Sequence, residues 1–339
     1  MVNIAVIGTG RIGAHHVRAL SQDVRGAQVV AVVDPARDRA EAMADEFHVP
    51  HALGEIDDAL QLDDVDAVVI ATPVPTHLPL IEAAAAHGKH TFTEKPIGGD
   101  VEEARRAAAA AESAGIVFQV GFNRRFAESW SRAHDLVTAG AVGTIHRVHS
   151  VTRDPGPFTG EPSRISPGTV FQETLIHDFD TIGWFLGDAR PMTVYAAADA
   201  LVAPEAKDSG FLDSAVVTIR YDNGAIATAE ASFSASYGYD LRGEVFGSSG
   251  MVQMGELPNS AARLFTTDGM HATTDGIDTV RFHDAYVAEF ESFIRAIEGD
   301  HPNGHRPVGA DGVAAQVLAE AAIRSHAQQR VVEVEEVLR

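Results

Sequence analysis

The sequence contains no cysteine and very little lysine. The absence of cysteine excludes disulfides, zinc sites built on thiolates and a cysteine nucleophile. Three of the 26 basic residues are lysines, namely Lys89, Lys95 and Lys207. An ammonium is a compact charge with a tunable pKa, whereas a guanidinium stays charged and is shaped for forked contacts. Lys95, which stands directly before a proline at the end of an apolar run, is therefore a candidate for chemistry.

Positive charge is scarce throughout the chain. Its 48 acidic and 26 basic residues give a formal net charge of −22, which argues against nucleic acid or an anionic membrane as a partner. This charge is typical of a solvated acidic surface. No apolar run approaches the roughly 20 residues that span a bilayer. The chain opens directly into an apolar strand without a cleavable leader, so we expect a cytoplasmic protein.

The first third of the chain alternates short β-branched runs with longer alanine-rich, charged segments. The runs that read as strands are NIAVIG, AQVVAVVD, DAVVIAT, HTFTE and IVFQVG. The segments that read as helices are IGAHHVRALSQ, RDRAEAMADEF, HLPLIEAAAAHG and VEEARRAAAAAESAG. This alternation predicts an α/β fold, in which residues 1–122 form a doubly wound parallel sheet of the Rossmann type.

The pattern changes after residue 122, where strand-like runs separated by turn residues dominate. The turn Asp222-Asn223-Gly224 joins two alternating runs and is a strong hairpin signal. We predict that residues 123–339 form a second, α+β domain with a large, mainly antiparallel sheet that binds substrate and packs subunits together. Helices over 127–140, 285–299 and 308–329 are expected beside this sheet.

The segment GTGRIG places Gly8, Gly10 and Gly13 between the first predicted strand and helix, where backbone N–H groups can meet a pyrophosphate. Asp34 ends the second predicted strand, where a carboxylate can accept from a ribose 2′-hydroxyl and repel a 2′-phosphate. These features predict a dinucleotide site that favours NAD over NADP. Arg37 is close enough in sequence to soften that preference.

Residues 168–187 read as one helix with two contrasting sides. One side is an apolar stripe of Leu175, Phe179, Ile182 and Leu186, and the other carries Glu173, His177, Asp180 and Trp184. The second side is either an exposed polar face or the wall of a cleft, and a tryptophan on it favours the cleft. Asp180 either binds a polyol hydroxyl or completes the helix face.

Hydride transfer from a secondary alcohol needs a base near the hydroxyl. Histidine suits this task, and a carboxylate one helical turn away can hold its ring. We therefore expect His177 to act as the base with Glu173 as its partner. Lys95 would place positive charge where an alkoxide develops. Because these residues come from both predicted domains, we expect an active site in the crevice between the domains.

The whole chain resembles the Gfo/Idh/MocA oxidoreductase family through GTGRIG, ATPVPTHLPLIEAAAAHGKHTFTEKPI, GFNRRF and ETLIHDFDTIGWFLG, in that order. RDPGP, GYDLRGEVFGSSGM and RFHDAYVAEFESFI look most like its inositol 2-dehydrogenase branch. The resemblance implies that Lys95 is the catalytic lysine of an EKP motif, that Lys95-Pro96 is a cis peptide, and that His177 is the general base. It further implies cofactor contacts from Arg11, Ile12, Thr72, Pro73, His77, Glu94 and Lys95. Implied substrate contacts are Lys95, Asn123, Arg125, Arg153, Asp154, Glu173, His177 and Tyr237.

The chain departs from the inositol branch at two positions. Glu173 stands where that branch usually has aspartate, and Asn123 stands where a nonpolar residue is common. One additional methylene can displace a carboxylate enough to disturb a positioned site. These departures leave the substrate open within the resemblance. His15 and His16, in the first predicted helix, are expected to be structural.

These features together predict an NAD-dependent dehydrogenase that oxidises a secondary hydroxyl of a cyclic polyol or sugar, with an inositol as the first candidate. Another monosaccharide or an anhydrosugar is the nearest alternative. A glycoside hydrolase that uses NAD transiently and a non-enzymatic nucleotide-sensing regulator are alternatives from other classes. Retention of both Lys95 and His177 argues against the regulator. We expect a homo-oligomer, with a tetramer as the specific prediction, and no metal site.

Overall fold

A computed structural model describes residues 1–156, 165, 168–255, 258, 263–274, 276–300 and 305–339. The chain forms two compact units, and each unit contains two stretches of chain. The first unit is Met1–Ala127 with Phe282–Val313, and the second is Glu128–Arg281 with Ala314–Arg339. The division expected at residue 122 lies close to the first crossing, but the return of the chain to the first unit was not expected.

The first unit contains a six-stranded, wholly parallel sheet in the order β3-β2-β1-β4-β5-β6. Its strands are β1 Val2–Ile7, β2 Ala27–Val33, β3 His51–Leu53, β4 Ala67–Ile70, β5 His90–Thr93 and β6 Phe118–Val120. The central strands are buried on both faces because helices cover them, as their continuous apolar runs require. The predicted Rossmann architecture is confirmed, and β3 is the strand that was not predicted.

Five helices lie between the strands of this sheet; four follow the predicted segments, and the short third one was not predicted. They are α1 Arg11–Gln22, α2 Arg37–Phe47, α3 Ile56–Leu60, α4 His77–Ala86 and α5 Val101–Ala114. Short 3₁₀ turns cover Val74–Thr76 and Asn123–Phe126. The start of α5 is capped by the Asp100 carboxylate, which accepts a hydrogen bond of 2.8 Å from the Glu103 backbone N–H. A C-terminal Gly115 at φ +65° ends the same helix in the left-handed conformation.

A later helix completes the core of the first unit. The second unit contains α6 Glu128–Thr138, α7 Ile176–Leu186 and α8 Asp278–Arg281, whereas α9 His283–Ile297 belongs to the first unit. Phe290, Phe293 and Ile294 of α9 are buried in the same cluster as Val17 and Phe92. The rings of Phe92 and Phe290 lie 4.8 Å apart. Burial of these aromatic rings explains why α9 belongs to the first unit although it follows the second sheet in sequence.

The second unit contains a seven-stranded mixed sheet in the order β12-β11-β7-β10-β9-β8-β15. Its strands are β7 Ile145–Pro155, β8 Pro191–Asp199, β9 Ser214–Tyr221, β10 Ile226–Ala235, β11 Asp240–Gly247, β12 Gly250–Met254 and β15 Val332–Glu333. A separate hairpin pairs β13 Leu264–Thr266 with β14 Gly269–His271. Only β7 and β10 pair in parallel within the described part of the larger sheet. The mainly antiparallel sheet is therefore confirmed.

The predicted hairpin at Asp222-Asn223-Gly224 joins β9 to β10, and Gly224 has φ +87°. Side chains of β9 alternate strictly, with Ala215, Val217 and Ile219 buried and the intervening residues facing the other side. The remaining helices are α10 Gly309–Gln328 and α11 Glu335–Leu338, with a 3₁₀ turn at Pro204–Ser209. In the described residues, none of the helices is both long and apolar enough to span a bilayer.

Candidate functional site

The first candidate region is the edge of the parallel sheet where the strands end. Because β1, β2, β4 and β5 run in the same direction, the segments that follow them meet at one edge. These segments carry the glycine motif, Asp34, the pair Thr72 and Pro73, and the pair Glu94 and Lys95. The strand order reverses between β1 and β4, which is where doubly wound sheets bind their ligands. The fold thus gathers most of the predicted cofactor residues, including Arg11 and Ile12 at the start of α1.

The three glycines of the motif are required for different reasons. Gly8 has φ +92°, and a Cβ there would lie 2.6 Å from the Ala71 carbonyl oxygen. A Cβ on Gly13 would lie 1.9 Å from the Gly8 carbonyl oxygen, so the turn itself excludes a side chain. Gly10 has φ −67°, and a Cβ there would meet nothing within 4 Å. Neither backbone strain nor packing therefore explains Gly10, whereas the close approach of a ligand to the start of α1 does.

Asp34 is buried at the end of β2 and is held by several donors. Its Oδ2 accepts from the Thr9 N–H at 2.9 Å and the Thr9 hydroxyl at 2.8 Å. Its Oδ1 accepts from the Ala36 N–H at 2.9 Å and from Nη2 of Arg39 at 2.8 Å. Burial raises the pKa of this carboxyl, but these hydrogen bonds outweigh burial and leave the pKa below its usual value. Asp34 is therefore a fixed anion at neutral pH.

Arg37, the arginine that the sequence pointed to, contacts a different carboxylate. Its Nε donates to Glu41 on the same helix at 3.1 Å, and its side chain is 71% exposed. The arginine on Asp34 is Arg39, two residues further along α2. Sequence distance from Asp34 could not distinguish the two, because the direction of each side chain depends on where α2 begins.

His77 connects the segments after β4 and β5. Its Nδ1 lies 2.7 Å from the Pro96 carbonyl oxygen and its Nε2 lies 2.8 Å from the Thr72 carbonyl oxygen. The side chain is buried, and burial lowers the pKa of the imidazole despite these two hydrogen-bonding contacts. His77 was predicted to contact the cofactor, and these bonds give it a direct structural task beside Lys95. The Lys95-Pro96 peptide is cis, as the family resemblance implied.

Glu94, the residue before Lys95, is fixed from the opposite side by His16. The Nε2 of His16 lies 2.8 Å from Oε1 of Glu94, and the imidazole is completely buried against Phe92 and Phe290. Burial raises the pKa of Glu94, but the hydrogen bond from His16 and nearby positive charge outweigh it and lower the pKa. The structural role expected for His16 is thus specific, since it holds the EKP segment in place.

Two further predicted substrate residues belong to the first unit. Asn123 and Arg125 lie in the 3₁₀ turn after β6, and both are buried. Nη2 of Arg125 lies 3.0 Å from Oδ1 of Asp311 at the start of α10. A buried guanidinium requires such a partner, so Arg125 is held in a fixed position.

The second candidate region surrounds His177 in the second unit. The segment predicted as one helix is divided, because Val170–Thr174 forms a π-helical turn and α7 starts at Ile176. Glu173 is exposed in the π turn and His177 is partly exposed in the first turn of α7. π turns occur frequently at functional sites. The predicted apolar stripe of α7 is buried as expected.

Trp184 has a packing explanation. Its ring stacks on the imidazole of His134 with centroids 3.9 Å apart and planes 4° apart, and Trp184 is 7% exposed. Asp180 is also buried. The polar side of the predicted helix therefore divides into an outer part, with Glu173 and His177, and a buried part, with Asp180 and Trp184. Because Trp184 packs on His134, it is no longer evidence for a cleft.

Asp178, next to His177, is a residue that the sequence reasoning missed. Its carboxylate is completely buried and accepts from the Ser150 hydroxyl at 2.5 Å and the Thr152 hydroxyl at 2.6 Å. These bonds anchor the first turn of α7 to β7, and so they position His177. The signal in the sequence was the pair of hydroxyl residues two apart on a predicted strand, which places both on one face.

Arg153 and Tyr237 belong to a charge network on the other face of the same sheet. Side chains alternate along β7, so Arg153 faces away from Asp178. Arg153 donates to Glu230 at 2.9 Å and to the Tyr237 oxygen at 2.8 Å, and the Tyr237 hydroxyl donates to buried Asp240 at 2.8 Å. The hydrogen bond with Tyr237 contributes most to raising the pKa of Arg153. Asp154, the next predicted residue, is partly exposed near the end of β7.

Comparison with known proteins identifies the two units by family. Residues 2–122 match the GFO/IDH/MocA model described as an oxidoreductase family with an NAD-binding Rossmann fold. Residues 130–253 match the GFO/IDH/MocA C-terminal domain. The chain is 36% identical over 334 residues to an inositol 2-dehydrogenase of Rhizobium meliloti, covering 98% of this chain and 99% of that protein.

Two further relatives carry related names. A scyllo-inositol 2-dehydrogenase (NAD(+)) of Bacillus subtilis is 34% identical over 310 residues, covering 91% of this chain and 89% of that protein. The crystal structure of a myo-inositol dehydrogenase from Lactobacillus casei in complex with NAD(H) and myo-inositol superposes with a TM-score of 0.88 at 28% identity. The superposition covers 98% of this chain and 96% of that structure.

Proposed function

We propose, from the premise that this chain belongs to the GFO/IDH/MocA oxidoreductase family, that it oxidises a ring hydroxyl of an inositol to the ketone with NAD as hydride acceptor. Support for the substrate class comes from relatives over nearly the whole chain that are named inositol dehydrogenases. The name of the Bacillus subtilis relative includes NAD. Asp34 is the residue type that accepts from the ribose hydroxyl of NAD.

The observation that carries the cofactor assignment is Gly10. It is free of steric and backbone constraint within the chain, yet it stands where a pyrophosphate would approach the first turn of α1. The first turn of α1 also contains no acidic residue that would repel an anion. The residues at this edge therefore fit a dinucleotide.

The proposed chemistry divides among three side chains. When bound, the oxidised nicotinamide accepts hydride from the carbon that carries the reacting hydroxyl. His177 removes the proton of that hydroxyl, and Glu173 supports the charged imidazole. The Lys95 ammonium stabilises negative charge that develops on the substrate oxygen. His16 acts on Lys95 through Glu94, and His77 acts on it through Pro96, so both are positioning residues.

We also propose that the protein assembles as a homotetramer through the exposed face of the seven-stranded sheet. The large apolar side chains on that face are more than a third exposed; they are Tyr195, Val216, Ile226, Phe246 and Met251. Several large apolar side chains exposed on one sheet face are typical of a protein interface. Sedimentation at working concentration tests the proposal, and a monomeric mass would refute it.

Initial rates of NADH formation over a panel of inositols, pentoses, hexoses and anhydrosugars test the proposed activity. Turnover of myo- or scyllo-inositol with NAD is the expected result and means that Glu173 replaces aspartate in this site. Turnover confined to another sugar would retain the mechanism and make Glu173 and Asn123 the first positions to exchange. Tight NAD binding without turnover of any compound would refute the proposed activity and favour the hydrolase or the regulator.

A further inference from the structure

The carboxylate of Asp34 is already saturated with hydrogen bonds from its own chain. Two donors come from Thr9, one from Ala36 and one from Arg39, at distances of 2.8–2.9 Å. A carboxylate offers about four lone-pair positions. A ribose hydroxyl that donates to Asp34 must therefore displace one of these donors or share its position.

Of these four donors, the Arg39 guanidinium is the one that a ligand can displace from Asp34. The Thr9 and Ala36 donors are backbone groups or a short side chain beside the carboxylate, whereas Arg39 has a long side chain that is 60% exposed. An ion pair with such an exposed partner is held weakly, because water replaces it readily. Thus Arg39 covers Asp34 in the absence of a competing group and is displaced at little cost.

The guanidinium of Arg39 has unused donors. Within the described part of the chain, its hydrogen bonding consists of the one contact to Asp34. A guanidinium carries five N–H donors in a fork that matches phosphate oxygens. Positive charge beside Asp34 also offsets the repulsion between that carboxylate and a 2′-phosphate. The same side chain that competes with a ribose hydroxyl can therefore bind a ribose phosphate.

We propose that Arg39 sets the cofactor preference of this protein and gives it a second, weaker cofactor, NADP. A ribose hydroxyl takes the place of Arg39 on Asp34, whereas a 2′-phosphate pairs with the Arg39 guanidinium. The inference rests on the proposed use of a dinucleotide, and it deepens that proposal at the adenosine end. Arg37 takes no part, since its guanidinium lies on Glu41.

Isothermal titration of NAD, NADP, ADP and 2′,5′-ADP into the wild-type protein, Arg39→Gln, Arg39→Lys and Arg37→Gln tests the proposal. The wild type should bind NADP with a dissociation constant within about 100-fold of that for NAD. Arg39→Gln should weaken NADP and 2′,5′-ADP by roughly tenfold or more, the effect of losing a charge-assisted bond. NAD and ADP should bind as tightly as before or up to about threefold tighter.

Arg39→Lys separates the charge of the side chain from its forked shape, and Arg37→Gln controls for changes in the folding of α2. Arg39→Lys retains the charge without the fork and should fall between the wild type and Arg39→Gln. Arg37→Gln, an exposed arginine on the same turn, should match the wild type with all four ligands. An unchanged ratio of NADP to NAD affinity in Arg39→Gln would overturn the proposal, as would an equal loss in Arg37→Gln or a wild type that does not bind NADP. Because binding is measured directly, these results are independent of whether any polyol is oxidised.

Discussion

The two units hold their candidate residues in different ways. In the first unit, Asp34, His77 and Glu94 are tied by hydrogen bonds to segments distant in sequence, namely to Thr9, Pro96 and His16. In the second unit, buried Asp178 anchors the helix turn that carries His177, and Glu173 is exposed in a π turn. The proposed cofactor residues are therefore held by contacts among several segments, whereas the proposed base and its partner both lie near the start of one helix. This difference agrees with the proposed roles, in which the sheet edge binds the cofactor and the helix turn contacts the substrate.

Removal of the proposed base would separate the two regions most strongly. His177→Gln should lower kcat by about 10²- to 10⁴-fold, the usual contribution of a general base. The affinity for NAD should stay unchanged, because the strand ends of the first unit are untouched. Steady-state kinetics with titration calorimetry measure both quantities. His146→Gln, an exposed histidine of the same unit, is the control, and equal losses in both variants would contradict a specific role for His177.

Glycine substitutions test the first region with a smaller expected effect. Gly10→Ala should leave the protein folded and weaken NAD by about 10- to 100-fold, because the added methyl occupies space that the structure leaves open for a ligand. Gly54→Ala also adds a methyl to open space, in a turn after β3, and should bind NAD normally. Circular dichroism checks folding and calorimetry checks binding. Normal NAD affinity in Gly10→Ala would remove the main support for the cofactor site.

Several features of both units could be predicted from the sequence. The alternation of apolar runs and alanine-rich segments predicted the parallel sheet, since each run is long enough for a buried strand and no longer. GTGRIG and Asp34 were found because they are local signals. The hairpin at Asp222-Asn223-Gly224 was also predicted from a local signal, because such turns favour residues that adopt positive φ, as Gly224 does.

The remainder depended on contacts between residues distant in sequence. The pair of His16 and Glu94 spans 78 positions, and nothing local distinguishes His16 from His15. Helix α9 joins the first unit because its phenylalanines fill a core formed by other elements. Periodicity could not separate a π turn from an α-helix over 170–174, since both place apolar residues on one side. Arg39 rather than Arg37 contacts Asp34 because of the direction of the two side chains, which the sequence does not show.

The anchor of the second region can be removed on its own. Asp178→Ala should lower the free energy of unfolding by about 1–3 kcal/mol, because the buried hydroxyls of Ser150 and Thr152 lose their acceptor. Denaturant unfolding measures this loss. The exposed Asp188, in the turn after α7, gives the control variant Asp188→Ala, which should cost little. A similar stability in both variants would mean that α7 is held by its apolar face alone.

The smallest predicted effect concerns pH and the first region. The pKa of His77 is lowered by burial from the usual 6.5, so the unfolded chain binds this proton more tightly than the folded protein does. Its contribution to stability is complete above about pH 6.5 and is lost as the pH falls toward the folded value. The free energy of unfolding should therefore fall more steeply below that pH in the wild type than in His77→Gln. His87→Gln, at the exposed end of α4, should retain the wild-type slope.

The most direct test of the account is the mass balance of a reaction with NAD and myo-inositol. NADH is measured by absorbance and the ketone by mass spectrometry. We expect one NADH for each molecule of ketone, with both products absent in Lys95→Met and reduced at least 100-fold in His177→Gln. Ketone and NADH formed at the wild-type rate by either variant would contradict it, as would no net NADH from the wild type with any cyclic polyol.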